Sequence, residues 1–380
     1  MPNLPLRIKK ADSVRITTPA VFIQEIHPFP AITGVETSHA AFLGSAVRGP
    51  LNKALLVQSF ADFERNFGGV QAHSELGYAV LLYFANGGKQ AWIVRIARKG
   101  LPAQTAKGLK ALAAESPVNM LSIPGASDPV VLNHAENWCR ARHVFLLIDS
   151  PRAATPQQMR AAVGASLPES NCAAVYYPWL AVNDPLNPSQ PRLTAPCGAV
   201  AGLFARTDRN RGVWKAPAGK DPLKLVQSLE TALTQPDQDL LNPKAVNCLR
   251  YIEGIGFCVW GSRTLRGADA SGDEYKYVPM RRLALYIEGS VEVGTRWAVF
   301  EPSGEALWRE LRRNVEDFMI NLWKRGALAG DKAEQAFFVR CGRDTMTQSD
   351  LTRGILHVMI GFAPVKPAEF VVLKISHATA

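Results

Sequence analysis

The chain has 380 residues, 47% hydrophobic and 20% charged, with 29 glycines and 26 prolines; this ordinary globular composition excludes a disordered, collagen-like or low-complexity protein. Its length predicts two packed units with terminal extensions. A formal net charge of +10 asks for an acidic partner surface without choosing among nucleic acid, anionic lipid and protein.

No apolar segment is long enough to span a bilayer as a helix: Cys172 to Val182 is typical and is broken by Pro178. Arg7, Lys9 and Lys10 precede no apolar run of signal-peptide type, so the chain is expected to stay in the cytoplasm of the cell that makes it. The six cysteines, Cys139, Cys172, Cys197, Cys248, Cys258 and Cys341, form no C-x-x-C pair. They are expected to be small buried apolar residues rather than zinc ligands or a disulfide framework.

The first twenty residues are polar, basic and bounded by proline, and Val21, Phe22, Ile23 and Ile26 then mark a short strand before the turn at His27-Pro28-Phe29-Pro30. This is the pattern of a reaching arm. A strand at Ala40 to Gly44 and a loop at Arg48-Gly49-Pro50 follow, and Ser59 and Asp62 are candidate caps of a helix that ends at Gly68-Gly69. An amphipathic helix fits Glu75 to Asn86, closed by Gly87-Gly88, with a buried strand at Ala91 to Ile96. Helices at Ala103 to Ala114, Val131 to Arg140 and Thr155 to Ala165 then alternate with strands at Asn119 to Ile123, Val144 to Asp149 and Ala173 to Tyr177. Such alternation predicts a βαβ-type domain with a largely parallel sheet. Pro178 to Pro196 holds five prolines and is expected to be a long surface excursion.

A helix at Cys197 to Thr207 leads into the Gly/Pro-rich loop Arg211 to Gly219. Strands at Ala245 to Tyr251 and Gly256 to Trp260 open the C-terminal part, followed by helices at Pro279 to Val293 and Ser303 to Trp323. In the second helix Leu307, Leu311, Val315, Phe318 and Leu322 make one apolar stripe. Ala336 to Cys341, Leu356 to Phe362 and Phe370 to Ile375 are β-prone, and Phe370, Val371, Val372, Leu373 and Ile375 stand beyond Pro364 and Pro367 as a second arm. The expected division is 1–20 as N-terminal arm, 21–244 as α/β domain, 245–363 as C-terminal α+β domain and 364–380 as C-terminal arm.

The chain carries no Walker loop, G-x-G-x-x-G, H-E-x-x-H, G-x-S-x-G or EF-hand pattern. Its seven histidines are scattered, so no catalytic, cofactor-binding or metal-ligating residue is assigned. Asp149-Ser150-Pro151 ends a predicted parallel strand, where α/β enzymes place reactive groups, and is the site of the alternative reading as an α/β enzyme. A helix cap before Thr155 is the plainer role, because no companion base or nucleophile is recognisable. Arg309, Arg312 and Arg313 fall within about one helical turn, at roughly 3.6 residues per turn, and can present one positive face. Lys324 and Arg325 end the same helix, whose cations alternate with Glu305, Glu310, Glu316 and Asp317 as on a solvated face.

The runs Pro19-Ala-Val-Phe-Ile-Gln-Glu-Ile26, Ala40-Ala-Phe-Leu-Gly-Ser-Ala-Val-Arg-Gly-Pro50 and Ser59-Phe-Ala-Asp-Phe-Glu-Arg-Asn-Phe-Gly68 resemble the opening of the phage tail sheath family. So do Gly77 to Val80, Phe84 to Gly88, Ala174 to Trp179, Arg206-Thr207 and Arg211 to Gly219. The agreement is greatest in Val259-Trp-Gly-Ser-Arg-Thr-Leu265, Arg281-Arg282-Leu283, Trp297-Ala-Val-Phe-Glu-Pro302 and Ala363-Pro-Val-Lys-Pro-Ala-Glu-Phe370. The resemblance runs from about Pro19 to Ile375. It implies a mixed α/β subunit with no enzymatic activity and no cofactor: an outer βαβ-type domain, an inner C-terminal α+β domain beside a tail tube, and β-strand arms that pair with neighbouring subunits. The implied partners are further copies of the chain, the inner tail tube protein, and the baseplate and tail terminator proteins, with no nucleic acid and no membrane insertion. Assembly would take place in the producing bacterium, and the product would be a phage tail or a released injection particle. Arg309, Arg312, Arg313, Lys324 and Arg325 are then the expected tube-facing residues. Set beside the bigger members of the family it resembles, the chain is expected to lack their large outer insertions.

Overall fold

The computed structural model describes residues 30–98, 101–112 and 117–369. The chain divides into two units, Met1–Pro30 and Ala31–Ala380, and the elements below belong to the second. The expected arm strands at Val21 to Ile26 and Phe370 to Ile375 lie outside the described residues.

The strands are β1 (Ala40–Gly44), β2 (Ala54–Val57), β3 (Ala91–Arg95), β4 (Met120–Ser122), β5 (Phe145–Asp149), β6 (Ala173–Tyr177), β7 (Leu180–Asn183), β8 (Pro191–Thr194), β9 (Val226–Leu229), β10 (Val246–Ile252), β11 (Gly256–Trp260), β12 (Phe337–Arg340) and β13 (Met359–Phe362). The helices are α1 (Phe60–Phe67), α2 (Glu75–Asn86), α3 (Leu101–Leu112), α4 (Pro129–Arg140), α5 (Pro156–Ala162), α6 (Cys197–Arg211), α7 (Gln235–Leu241), α8 (Val278–Gly294), α9 (Glu305–Lys324), α10 (Ala333–Ala336) and α11 (Gln348–Arg353).

Eight strands form one sheet in the order β11-β10-β6-β5-β4-β1-β3-β2. The six inner strands run parallel, and β11 and β2 close the two edges antiparallel. The inner strands are mostly apolar because both faces are covered, with Arg95, Ser122, Asp149, Asn247 and Arg250 as polar exceptions. On β5, Phe145 and Leu147 enter the core shared with α2 and α6, while Leu146 and Ile148 enter the opposite core with α3, α4 and α5. The result is a three-layered α/β/α body.

Local chemistry sets the helix ends. The Ser59 hydroxyl accepts the Asp62 N–H, Ser74 accepts the Leu76 N–H, and α1 stops at Gly68 with φ 93°. The closest helix pair is α2 on α6, where a Cβ at Gly198 would stand 2.1 Å from the Ala79 carbonyl oxygen and one at Gly202 2.5 Å from that of Tyr83. Only glycine permits that approach.

Two sequence expectations are corrected. Pro178 to Pro196 is a surface excursion only in its middle: Asn183 to Arg192 are mostly exposed, but Pro178 to Val182 are buried, and β7 is the middle strand of a small antiparallel sheet, β8-β7-β9. Proline is compatible with that strand because Pro191 opens an edge, where no ladder N–H is required. Second, β10 and β11, expected to open the C-terminal part, extend the large sheet, with Val246 paired to Val175 of β6.

The C-terminal elements gather around α8 and α9. Leu283 and Ile287 of α8 pack with Val315, Phe318, Met319 and Leu322 of α9, with Ile32 and with Val339 of β12. The short ribbon β12–β13 covers this core with one face and leaves Phe338 and Met359 about half exposed on the other.

Candidate functional site

Where the described chain ends, Glu369 is gripped from three separate stretches of the chain: the turn after α7, the loop after β11 and the residue before α8. Arg263, 1% exposed, donates from Nε to Oε1 at 2.6 Å and from Nη2 to Oε2 at 2.9 Å. The Tyr277 hydroxyl donates to Oε2 at 2.9 Å, and the Asn242 side-chain amide donates to Oε1 at 3.1 Å. The second guanidinium nitrogen of Arg263 reaches the Asn242 carbonyl at 2.9 Å and the Asp269 carboxylate at 2.9 Å. Burial pushes the Glu369 carboxyl up, but these donors outweigh it and hold the group below the ordinary carboxylate range. Burial and the bond to Glu369 push the Tyr277 hydroxyl up to about 12. Such a forked, charge-assisted contact fixes direction as well as position.

A second buried pair joins the layers. Arg282 of α8 meets Asp208 of α6 through two bonds of 2.7 and 2.6 Å, with side chains 3% and 1% exposed. The same guanidinium donates to the Thr37 carbonyl at 3.1 Å and lies 4.8 Å from the Phe204 ring centroid.

Asp149 is a structural acceptor. It is 2% exposed, its Oδ1 accepts the Cys197 N–H at 2.7 Å and its Oδ2 accepts the Gly125 N–H at 2.9 Å. The capping role expected of it therefore falls on a different helix. Asp149 serves the first turn of α6, because β5 points its carboxyl end at that helix, and Thr155 caps α5 in a reciprocal box with Gln158. Among the described residues, no three His, Cys, Asp or Glu side chains come together as a metal site, and no helix is long and apolar enough to cross a membrane. All six cysteines are free and buried.

The basic residues of α9 do not form one cluster. Arg309 and Arg312 are exposed and Arg313 half-buried near its start, whereas Lys324 and Arg325 are exposed at its end, about 22 Å away at 1.5 Å per residue. Arg312 sits 3.9 Å from Glu316, and Arg325 lies 5.0 Å from the Trp214 ring centroid. The apolar stripe of the helix is buried as its spacing predicts. Sequence reasoning assigned no role to Arg263, Asn242, Tyr277, Glu369 or the Arg282–Asp208 pair. The available signal was that Arg263, Arg282 and Glu369 all fall inside the segments that carry the family resemblance.

The fold and site define an α/β body whose best-built polar contacts lie at the joints between its layers and at the root of its C-terminal segment. The chain belongs to the phage tail sheath family: residues 102–265 match the phage tail sheath protein central domain and residues 270–377 the phage tail sheath C-terminal domain. It is similar to the putative prophage major tail sheath protein of Pseudomonas aeruginosa (strain UCBPP-PA14), 28% identical over 185 residues that make up 46% of this chain and 44% of that protein. The tail sheath protein of Enterobacteria phage T4 is 22% identical over 180 residues, 46% of this chain and 26% of that protein. The chain thus matches less than half the length of these curated relatives. Among solved structures, the contracted sheath complex of an extracellular contractile injection system, PVC, aligns with 96% of this chain and 98% of its own, at TM-score 0.80 and 29% identity. The contracted helical sheath of the anti-feeding prophage aligns with 95% and 99%, at TM-score 0.78 and 29% identity.

Proposed function

We propose that this protein is the repeating structural subunit of a contractile sheath that stacks as six-fold rings around an inner tube and shortens to drive the tube through a target membrane. The observation that carries the reading is continuity of fold at 29% identity with chains from two contracted sheaths, over nearly their full length. Residues 21–244 form the outer part and 245–363 the tube-proximal part, with β10 and β11 as a shared edge. The partners are further copies of the chain, the tube protein, and baseplate and terminator proteins. Assembly takes place in the producing bacterium, before the particle is released.

The arms, 1–20 with Val21 to Ile26 and Phe370 to Ile375, join copies by adding strands to a neighbour, so that main-chain bonds hold the contact and alternate side chains select it. The ribbon β12–β13 supports this role, because it carries no third strand among the described residues and keeps Phe338 and Met359 exposed. A head-to-tail contact repeated with a rise produces an open helix rather than a closed dimer. Contraction is then a rigid-body switch between two packings, and a bias of about 1 kcal/mol per subunit, the size of one net hydrogen bond, accumulates along the sleeve. Electron microscopy of the purified protein tests the reading: rings or tubes are expected, and particles that stay monomeric at every concentration and salt would overturn it.

A further inference from the structure

We infer that the Arg263–Glu369 clasp is a positioning anchor: it fixes the point and direction from which the C-terminal arm leaves the body, and it passes load on the arm into the large sheet. The inference rests on the sleeve reading above and extends it to named residues.

Glu369 is the residue directly before Phe370, the first residue of the β-prone run expected in the arm, and both of its carboxylate oxygens are held. The segment from Val365 to Glu369 has no regular secondary structure, so its backbone alone does not fix where residue 370 begins. The clasp supplies that fixed point. Its other half is stapled to the sheet: the Arg263 N–H donates to Asn247 Oδ1 at 2.7 Å, and the Asn247 side-chain amide returns a bond to the Arg263 carbonyl at 2.8 Å. The same amide bonds the Val175 carbonyl of β6 at 3.1 Å, and Asn247 itself lies on β10, paired with Tyr176. A continuous path of hydrogen bonds therefore runs from Glu369 through Arg263 and Asn247 into the parallel strands. It bypasses α8, α9 and β13, which lie nearer to the arm in sequence. An arm that adds a strand to a neighbour needs such a reference, because a slip of one residue turns every side chain to the other face.

The test compares two single-residue insertions in the full chain. A serine placed between Lys366 and Pro367 lies on the body side of the clasp; the irregular segment absorbs it, Glu369 reseats on Arg263, and sleeves form as in the wild type. A serine placed between Glu369 and Phe370 leaves the clasp whole but shifts the arm by one residue, and sleeve formation is lost. Both variants are expected to melt as the wild-type monomer does, so an effect on folding alone would not separate them. Glu369→Gln, which weakens the clasp, should reduce the sleeve yield of the first insertion while the unmodified chain still assembles. Wild-type sleeves together with equal yields from the two insertions would overturn the anchor and leave the sleeve reading standing. Failure of the wild type to form rings or tubes would refute both.

Discussion

Replacing Arg282 by Met isolates the strongest tie between the C-terminal helices and the central body. The change keeps an apolar stem over Phe204 but leaves the Asp208 carboxylate, 1% exposed, without the cation that holds it through two bonds of 2.6 to 2.7 Å. Removing one partner of such a pair costs about 3–5 kcal/mol, because a buried charge is left uncompensated. Asp208→Leu exposes the same cost from the other side. The double variant Arg282→Met/Asp208→Leu removes both charges, and the remaining loss is the donor to the Thr37 carbonyl, roughly 1–3 kcal/mol. Urea denaturation of the monomer, followed by tryptophan fluorescence, gives the four free energies of the cycle. The two single changes are expected to be far from additive, with a coupling of several kcal/mol. Singles that each cost less than about 1 kcal/mol, or a double variant equal to their sum, would refute the assignment of this pair as a desolvated tie between α6 and α8.

Asp149 gives a prediction in pH. Burial pushes its carboxyl up to about 6 against the pull of the Gly125 and Cys197 donors, so the group favours the folded state most at acid pH, and that contribution is lost as pH rises from about 4 through 6. A shift of this size corresponds to roughly 3 kcal/mol. The stability difference between Asp149→Asn and wild type should therefore move in favour of the variant between pH 4 and pH 8, and a flat difference would contradict the burial argument. Deleting residues 370–380 should leave a folded monomer that forms no sleeves. Truncation after Pro364 also removes Glu369 from Arg263 and should lower the unfolding free energy by up to about 3 kcal/mol, and equal urea midpoints for the two truncations would contradict the clasp. Reversing Arg309, Arg312 and Arg313 to Glu should weaken sheathing of tubes, most clearly at low salt, since exposed charges are screened over about 8–10 Å at ordinary ionic strength. Normal sheathing by that variant at both low and moderate salt would leave these residues as a solvated helix face.

Much of the body was legible because its signals are local. Glu75–Asn86 and the strands Ala40–Gly44 and Ala173–Tyr177 were located to the residue, since flanking Ser, Gly or Pro marks at least one end of each. Apolar strands alternating with helices gave the parallel sheet for the same reason. The strands β2 and β9 were not foreseen: each has four residues, and Val-Gln-Ser-Leu offers no apolar run. The hairpin of β7 and β8 was hidden by prolines that sit at strand starts and turns, where they do no harm. The clasp was out of reach of local reasoning, because Arg263 and Glu369 are 106 residues apart and nothing in either neighbourhood names the other. Asp149 was seen as a cap, yet the helix it serves begins 48 residues later, a pairing that only the sheet order brings about.

The measurement that bears most directly on the account is a cryo-EM helical reconstruction of the protein co-expressed with its tube protein. A sleeve of six-fold rings is expected, with Phe370 to Ile375 of one subunit added to the sheet of a neighbour and Glu369 still seated on Arg263. Subunits that remain discrete beside bare tubes, or a sleeve in which neighbouring copies meet only through their bodies with both arms folded back on their own chain, would contradict it.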